Sequence, residues 1–534
     1  MKSYSVKTIF IFTITMFCAA FFPMNNYAGE PVQGFADIHT HQMAEYAYAG
    51  AWFYGSHKGL EWEALKKCNG GSIFGGDHAR TKLPLLNEFL GKGTFGTVGD
   101  TGVHFGKKYG FPYYTGWPRW DTIAHQQMWV GHLKQAYDSG LRLYVMSAVD
   151  FKPLCQTMPK TNMKYNYSCH EMTGANRELQ AAIQFAEDNK DWVQIAKTPG
   201  EARTIIGNNK LAMILAIEVT DLFDNDDFNV RLDEYYKLGV RSIQFGHQLN
   251  NRFTGVAPHH FIFKAFQFLR SAGMGDPRMD SYIYLANNNI KNPYGMTDEG
   301  KDFARAMMKK HMIIDISHMS EKAVDNLYEV AVEKNYYPMV LSHGHLREIM
   351  SDKKQKEEKT TPYNQIKMIR ETGGMIGLRS GEEITKTYSY SGVPNDCDGS
   401  TKTFAQAYQY GIKGLKVPIA FASDFNGFIQ QLRPRFGGKN ETCGSSNDAT
   451  IIKSQIAKQT GPVLNFQGNY SELNSQGFGH IGLENDIIRE LKNFGVDTTG
   501  LENSAESFIR VWERCYDDKR VKLSADDMDT SGIY

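Results

Sequence analysis

The segment Phe35–His41, FADIHTH, combines a short apolar strand with two histidines at its end. Residues 36–38 predict a buried strand, and His39 and His41 are two positions apart. Side chains at positions i and i+2 of a strand point to the same side. Two imidazoles that converge in this way can bind one divalent metal ion, because neutral imidazole is a good ligand for zinc. Two nearby histidines are also common as structural or surface residues, so the rest of the chain has to separate these interpretations.

Seven further apolar segments follow, and helical sequence separates most of them. Continuous apolar strands that alternate with helices indicate a parallel sheet covered on both faces. Eight such units predict an α/β fold, a (β/α)8 TIM-type barrel with large insertions on its C-terminal face. The alternative is an open doubly wound sheet, but no glycine-rich phosphate loop follows the first strand. The seven later predicted strands are Leu141–Val149, Leu211–Glu218, Val240–His247, Met312–His318, Met339–His343, Gly374–Ser380 and Val417–Asp424.

The helical segments carry recognisable start signals. A helix is predicted over Thr122–Tyr137, and Thr198, Thr297 and Ser320 are expected to cap three later helices. Threonine and serine favour this position because their hydroxyls accept hydrogen bonds from the first free backbone N–H groups.

Three long segments show little helical or strand period: residues 42–120, 248–294 and 428–480. We expect them to be insertions in a single domain over residues 29–534, because they contain too many aromatic residues for disordered linkers. Loops that follow barrel strands emerge on the active face. The first insertion therefore either packs against the barrel or forms a lid over its mouth.

Composition and the N-terminus limit the kind of partner. The chain has 534 residues with 59 basic and 59 acidic side chains, so no net charge favours nucleic acid or an anionic membrane. Lys2, Lys7 and the apolar run Thr8–Phe22 predict a signal peptide over residues 1–28, which implies a secreted or periplasmic protein. An uncleaved membrane anchor is the alternative, although the run is short for a bilayer span of about 20 residues.

The cysteines that remain after removal of such a signal allow disulfides. Six cysteines in an exported chain fit up to three disulfides, with buried free thiols as the alternative. Sequence proximity favours the pairs Cys155–Cys169 and Cys397–Cys443. The six are Cys68, Cys155, Cys169, Cys397, Cys443 and Cys515.

Residues that can bind metal close six of the eight predicted strands. In a barrel these strand ends meet at one mouth, so the residues predict a shared metal site. Four of the five imidazoles and the two carboxylates are already too many for one tetrahedral zinc and suit two metal ions, roughly 3.5–4 Å apart and bridged by a carboxylate and a water. Such a pair can hold hydroxide near neutral pH, while a carboxylate moves the proton to a leaving nitrogen. The residues are His39, His41, Glu218, His247, His318, His343 and Asp424.

Several histidines lie away from the strand ends and are expected to be structural or surface residues. Among them, His345 follows His343 by two positions, which places it close to the predicted site. Asp37 and Asp315 are expected to act as hydrogen-bond partners that orient the site, with Asp37 placed to orient a metal histidine. The histidines are His57, His78, His125, His132, His170, His259, His260, His345 and His480.

Taken in order, the motifs of the chain resemble those of the membrane (renal) dipeptidase family, zinc hydrolases of the amidohydrolase superfamily. The resemblance extends with interruptions over about Gly34–Gly427, and its most specific part is the series DISH, SH and SDFNG. The motifs are DIHTH, AIEV, FGHQLNN, DISHMSEKA, VLSHGHLREI, ETGGMIGLRSG and ASDFNG.

The resemblance implies a role for each residue at the strand ends. Its first implication is that His39 and His41 hold one metal ion and that Glu218 bridges two. A second metal ion would be held by His318 and His343.

Two further residues are implied in the chemistry. Asp424 would stand by the first metal ion and shuttle the proton, and His247 would face the substrate and stabilise the oxyanion. Members of the family are often dimers, so the resemblance allows a homodimer.

The chain departs from the family at two positions. The family usually has His-x-Asp at the first strand, whereas this chain has His41 as the second member. The family also usually carries an arginine about 11 residues past the histidine of the sixth strand, which grips the substrate carboxylate. Here the sequence is SDKKQK, so we expect Lys354, or Arg347 nearer the strand, to take that role.

The sequence therefore predicts an exported hydrolase with two zinc ions that cleaves the amide bond of small peptides, foremost dipeptides, through a metal-bridging hydroxide. One alternative is an amidohydrolase that acts on another small amide or a lactone. Another is a binding or surface protein that has kept the barrel and lost its activity.

Overall fold

Nine parallel strands form the centre of the molecule. The computed structural model describes residues 30–50, 53–65, 118, 120–121, 123, 125–156, 167–258, 266–267, 291–435, 472–474 and 477–532. The strands are β1 (Phe35–Thr40), β2 (Leu141–Asp150), β3 (Val193–Ile195), β4 (Leu211–Val219), β5 (Val240–Gln244), β6 (Ile313–Asp315), β7 (Met339–Gly344), β8 (Ile376–Arg379) and β9 (Ile419–Ala422).

The pairing of the strands closes a barrel. The order is β2-β1-β9-β8-β7-β6-β5-β4-β3, and β2 also pairs with β4, so eight strands form a ring. The short strand β3 pairs with Leu211–Met213 at the start of β4, whereas β5 pairs with residues 215–217 further along β4. The predicted (β/α)8 barrel is confirmed, and the open sheet is wrong because β2 and β4 leave no edge between them.

All eight predicted strands are present, but three end two or three residues earlier than expected. β5 ends at Gln244, β6 at Asp315 and β9 at Ala422, so His247, His318 and Asp424 lie in the loops just beyond. His318 and Asp424 have left-handed φ angles of 65° and 53°. Such angles are costly for residues other than glycine and are often found at functional sites.

Helices surround the barrel. The capping residues Thr198, Thr297 and Ser320 accept backbone hydrogen bonds from Glu201, Gly300 and Ala323, as predicted. The helices are Glu61–Ala64, Val130–Asp138, Lys152–Gln156, Glu171–Asp188, Pro199–Gly207, Phe228–Leu238, Asp298–Lys309, Glu321–Glu333, Tyr363–Glu371, Thr401–Gln409, Glu484–Asn493, Thr499–Glu502 and Ser504–Arg514.

The helix predicted over Thr122–Tyr137 starts later, at Val130. The residues before it are held by side-chain contacts to the barrel mouth. The Gln126 side chain donates to the carbonyl of Gln42 at 3.2 Å, and Asn426 Oδ1 accepts from the backbone N–H of Gln127 at 2.9 Å. These long-range bonds replace the first turns of the expected helix.

The C-terminal helix holds the start of the barrel. Ser504 Oγ accepts a hydrogen bond of 2.8 Å from the backbone N–H of Ala36, and Glu506 accepts one of 2.9 Å from Val32. Glu506 is also paired with Arg203 at 2.7 Å. These contacts fix the beginning of β1 and therefore the position of the histidines at its end.

Several predictions fall on parts of the chain outside the described residues. The signal peptide over residues 1–28 lies there entirely, and so does most of the insertions at 42–120, 248–294 and 428–480. In the described part of the first insertion, Phe53 is buried and its ring lies 4.8 Å from that of Phe428. No helix among the described residues is both long enough and apolar enough to cross a membrane.

The described cysteines confirm one predicted pair. Cys155 and Cys169 are joined as predicted. Cys397 is also disulfide-bonded, and its pairing with Cys443 stays a prediction. Cys515 is a buried free thiol, so it takes no part in a disulfide.

Candidate metal centre

The end of β1 is held against the loop after β9 by backbone hydrogen bonds. The N–H of Asp424 donates to the carbonyl of His39 at 2.9 Å, and that of His41 donates to Phe425 at 3.0 Å. The carboxylate of Asp37 accepts from the N–H groups of His39 and Ser423, both at 3.1 Å. Asp37 therefore fixes the backbone that carries His39, through hydrogen bonds from main-chain N–H groups.

Four side chains meet on this side of the barrel mouth. The Nε2 atoms of His39 and His41 are 3.2 Å apart. Glu218 Oε2, from the end of β4, lies 3.0 Å from the first and 3.2 Å from the second. Asp424 Oδ1 lies 3.2 Å from His41 Nε2 and 3.8 Å from His39 Nε2.

The second oxygen of Glu218 faces another group of histidines. Glu218 Oε1 lies 2.8 Å from His318 Nε2, 3.3 Å from His247 Nε2 and 4.0 Å from His343 Nε2. The Nε2 atoms of His318 and His343 are 2.9 Å apart. The structure thus brings all seven residues from the strand ends together, and the carboxylate of Glu218 lies between the two groups.

The outer ring nitrogens of the histidines are held by the barrel. His41 Nδ1 donates to the carbonyl of Ser147 at 2.9 Å, which leaves an unprotonated Nε2 facing the centre. Ser342 Oγ lies 3.2 Å from Nδ1 of both His39 and His343, so it can accept a hydrogen bond from each. Contacts of this kind set the tautomer and the direction of metal-binding histidines.

Burial and neighbouring charges set the protonation of the acids. Burial would raise the pKa of Glu218, but His39, His247 and His318 outweigh it and hold the pKa well below its ordinary value. The pKa of Asp424 is lowered in the same way, by His41 and Arg379 against the effect of burial. Both carboxylates are therefore ionised, as metal ligands must be.

The histidines respond to the same environment in opposite directions. Burial lowers the pKa of His247 to about 3 and, together with His39, lowers that of His343. The pKa of His41 is raised well above its usual value, because the nearby carboxylates of Asp424 and Glu218 outweigh the effect of burial.

The donor atoms fit a metal centre. In three combinations they lie within 4.8 Å of one another, and Glu218 Oε2 is buried without a hydrogen bond from any described residue. Several imidazole nitrogens and an unsatisfied carboxylate oxygen at one point are costly unless a cation binds between them. The combinations are His39 with His41 and Asp424, His39 with Glu218 and His343, and Glu218 with His247 and His318.

The two residues predicted to bind the substrate carboxylate lie in the segment after β7, and both have partners. Arg347 Nε donates to Thr360 Oγ1 at 3.0 Å, and its Nη2 lies 2.7 Å from Glu321 Oε1. Lys354 Nζ lies 3.4 Å from Glu357 Oε2.

His345 and Arg379 also lie near the centre. His345 Nε2 is 3.0 Å from Glu383 Oε1. Arg379, the last residue of β8, has its Nη2 3.4 Å from Asp424 Oδ2. Arg379 was not predicted as a site residue. Its place at the end of a barrel strand is nevertheless the same signal that identified His39 and Glu218.

Comparison with known proteins gives the chain a family. The sequence profile described as membrane dipeptidase (peptidase family M19) matches residues 277–435. The uncharacterized protein in PQQ-III 3'region of Acinetobacter calcoaceticus is 30% identical over 275 residues, which cover 48% of this chain and 72% of that protein. Dipeptidase tcpJ of Claviceps purpurea is 22% identical over 35% of this chain and 36% of its own length.

Among solved structures, the probable dipeptidase PvdM from Pseudomonas aeruginosa aligns with a TM-score of 0.47 and 14% identity over 72% of this chain and 88% of that chain. The chain belongs to the membrane dipeptidase family, peptidase family M19, and is a metal-dependent hydrolase.

Proposed function

We propose that the protein is a dipeptidase with two zinc ions. His39, His41 and Asp424 would hold one ion and His318 and His343 the other, with Glu218 shared between them. The observation that carries this proposal is the position of the Glu218 carboxylate, whose Oε2 faces the first group and whose Oε1 faces the second. One residue with an oxygen on each side is the arrangement that a two-metal site needs.

Each residue of this chain has a role that follows from its position. Zinc held by these residues would supply an acidified water near neutral pH and would polarise the scissile carbonyl. Asp424, ionised and beside His41, is placed to take a proton and pass it to the leaving nitrogen. His247, held neutral by burial, is placed to donate a hydrogen bond to the developing oxyanion.

We also propose that the protein works outside the cytoplasm, as a secreted or periplasmic enzyme. The disulfide between Cys155 and Cys169 supports this, because disulfides persist mainly in oxidising compartments.

The test of the enzyme proposal is a metal analysis combined with a substrate panel. Purified protein should contain close to two zinc ions per chain and hydrolyse dipeptides. A chelator should abolish the activity and added zinc should restore it. Hydrolysis of lactones or other amides but not of dipeptides would show a different amidohydrolase. Protein that binds no metal under these conditions would instead be a binding protein on an inactive barrel.

A further inference from the structure

A small cavity of about 40 Å³ adjoins the metal centre, and two cationic side chains, Lys359 and Arg379, line it. His318 and His343 form one side of it, and His345 contributes to the rest. Lys359 is paired with Glu357 at 3.3 Å. A cavity of this size holds a group such as a carboxylate, since a single water needs roughly 10–15 Å³.

Arg379 is largely buried, and not all of its hydrogen-bond donors have an acceptor among the described residues. Its side chain is only 11% exposed, and its Nη2 contacts Asp424 Oδ2 at 3.4 Å. Its Nε is buried and finds no hydrogen-bond acceptor in the described part of the chain. A buried guanidinium donor without an acceptor is costly, and a carboxylate that meets two of its N–H groups is the partner that fits its geometry best.

The charges around the cavity favour an anion. Burial lowers the pKa of Lys359, and the charges of Lys354 and Arg379 lower it further, which places like charges on one wall. Two nearby acids have other partners. Glu358 accepts hydrogen bonds from the backbone N–H groups of Asn292 and Glu321, at 2.7 and 2.8 Å.

The other acid is Glu383, whose Oε1 lies 3.0 Å from His345 Nε2. Of the acids described around the metal centre, Asp424 forms an ion pair with Arg379, and the proposed mechanism requires that carboxylate at the metals. The charge of Arg379 also acts on Glu383, whose pKa it helps to lower. The buried Nε of Arg379 is left without an acceptor among the described residues.

The two residues that the sequence suggested for binding the substrate carboxylate are less suitable. The Arg347 guanidinium is held by Glu321, the Thr360 hydroxyl and the carbonyl of Glu358. Lys354 is paired with Glu357. Both would have to break existing contacts to bind a substrate.

We propose that Arg379 binds the carboxylate of the substrate and so selects small peptides with a free C-terminal carboxyl group. This inference rests on the proposed dipeptidase function. It moves the recognition of the carboxylate from the segment after β7 to the end of β8.

The test compares alanyl-alanine with alanyl-alaninamide, which differ only in the terminal carboxylate. Wild type should prefer the free acid by about 10–100-fold in kcat/KM, the range for a hydrogen-bonded charged group. In Arg379→Met the ratio should fall to about one, and Arg379→Lys should restore part of it. Any loss through Asp424 would affect both substrates, so it cancels in the ratio. Aspartyl-alaninamide, whose carboxylate is on the first side chain, should be as poor as alanyl-alaninamide.

Lys354→Met is the matched control and should keep the ratio of wild type. A preference retained in Arg379→Met, or lost in Lys354→Met, would overturn the assignment. Metal content is measured for each variant. Calorimetric binding of alanine against alaninamide gives a second readout that needs no turnover: if wild type cleaves neither peptide but binds alanine through Arg379, the dipeptidase function fails and the carboxylate site stands.

Discussion

Two pairs of stacked, buried imidazoles lie within the described part of the chain, and they differ in what surrounds them. The rings of His39 and His343 lie 3.8 Å apart at 26°, at the barrel mouth. The rings of His132 and His480 lie 3.7 Å apart at 9°, where the helix Val130–Asp138 meets the C-terminal part of the chain. By distance alone the two pairs are nearly equivalent.

The two imidazole pairs differ in their hydrogen-bond partners. At the mouth, Ser342 contacts the Nδ1 atoms of both His39 and His343, and Glu218 lies within 4.0 Å of both Nε2 atoms. In the second pair, Nδ1 of each ring is buried with no hydrogen bond to any described residue, and burial lowers the pKa of both. A carboxylate contacts one ring of this pair, with His480 Nε2 3.3 Å from Glu472 Oε1.

The difference shows that proximity of histidines does not make a metal centre. What distinguishes the mouth is that its lone pairs converge on shared carboxylates and that its outer nitrogens are held in place.

The largest effect is expected from Glu218→Gln, which keeps the size of the side chain but removes the charge shared by both groups of histidines. We expect loss of bound metal and a fall in kcat/KM of more than about a hundredfold, beyond the effect of a residue that only supports a ligand. Metal content by mass spectrometry and dipeptide turnover measure it. Glu383→Gln is the control outside the ligand set, and full metal content in Glu218→Gln would show that this carboxylate is not needed.

Asp424→Asn should have the next largest effect, on turnover more than on metal. The amide cannot take up the proton, and proton transfer of this kind contributes roughly 10²–10⁴-fold to a rate. We expect kcat to fall by that factor while most of the metal remains bound, because His39, His41 and Glu218 are unchanged. Turnover at the level of wild type would remove Asp424 from the proton pathway.

The sequence separates the two histidine pairs because His39 and His343 end apolar strands, whereas His132 and His480 do not. The same rule recovered the eight barrel strands and brought seven residues to one mouth. It missed β3, since the three residues VQI carry too little apolar pattern. The start of the helix at Val130 was also missed, because Gln126 and Gln127 contact residues that are distant in sequence. Arg379 was missed because its contact with Asp424 depends on how two strands pair.

Ser342→Ala makes the imidazole pair at the mouth more like the pair His132 and His480, whose Nδ1 atoms have no hydrogen bond to any described residue. It removes the hydroxyl that contacts His39 and His343, so we expect zinc affinity to fall by about 10–100-fold. Competition with a fluorescent chelator measures the affinity. Ser320→Ala is the matched control: it removes a helix cap, which costs about 1 kcal/mol of stability, and should leave zinc affinity unchanged. Equal affinities in the two variants would show that Ser342 does not hold the ligands.

The smallest effect is expected at the second pair. His132→Phe keeps a flat ring against His480 and removes a buried nitrogen that has no partner among the described residues. Metal content and kcat/KM should match wild type, and the free energy of unfolding should stay the same or rise by up to about 1 kcal/mol, because an unsatisfied polar atom is lost. Denaturant unfolding with parallel metal analysis tests this. If His132→Phe lost metal, the second pair would also be a ligand site, and convergence on shared carboxylates would no longer be what distinguishes the mouth.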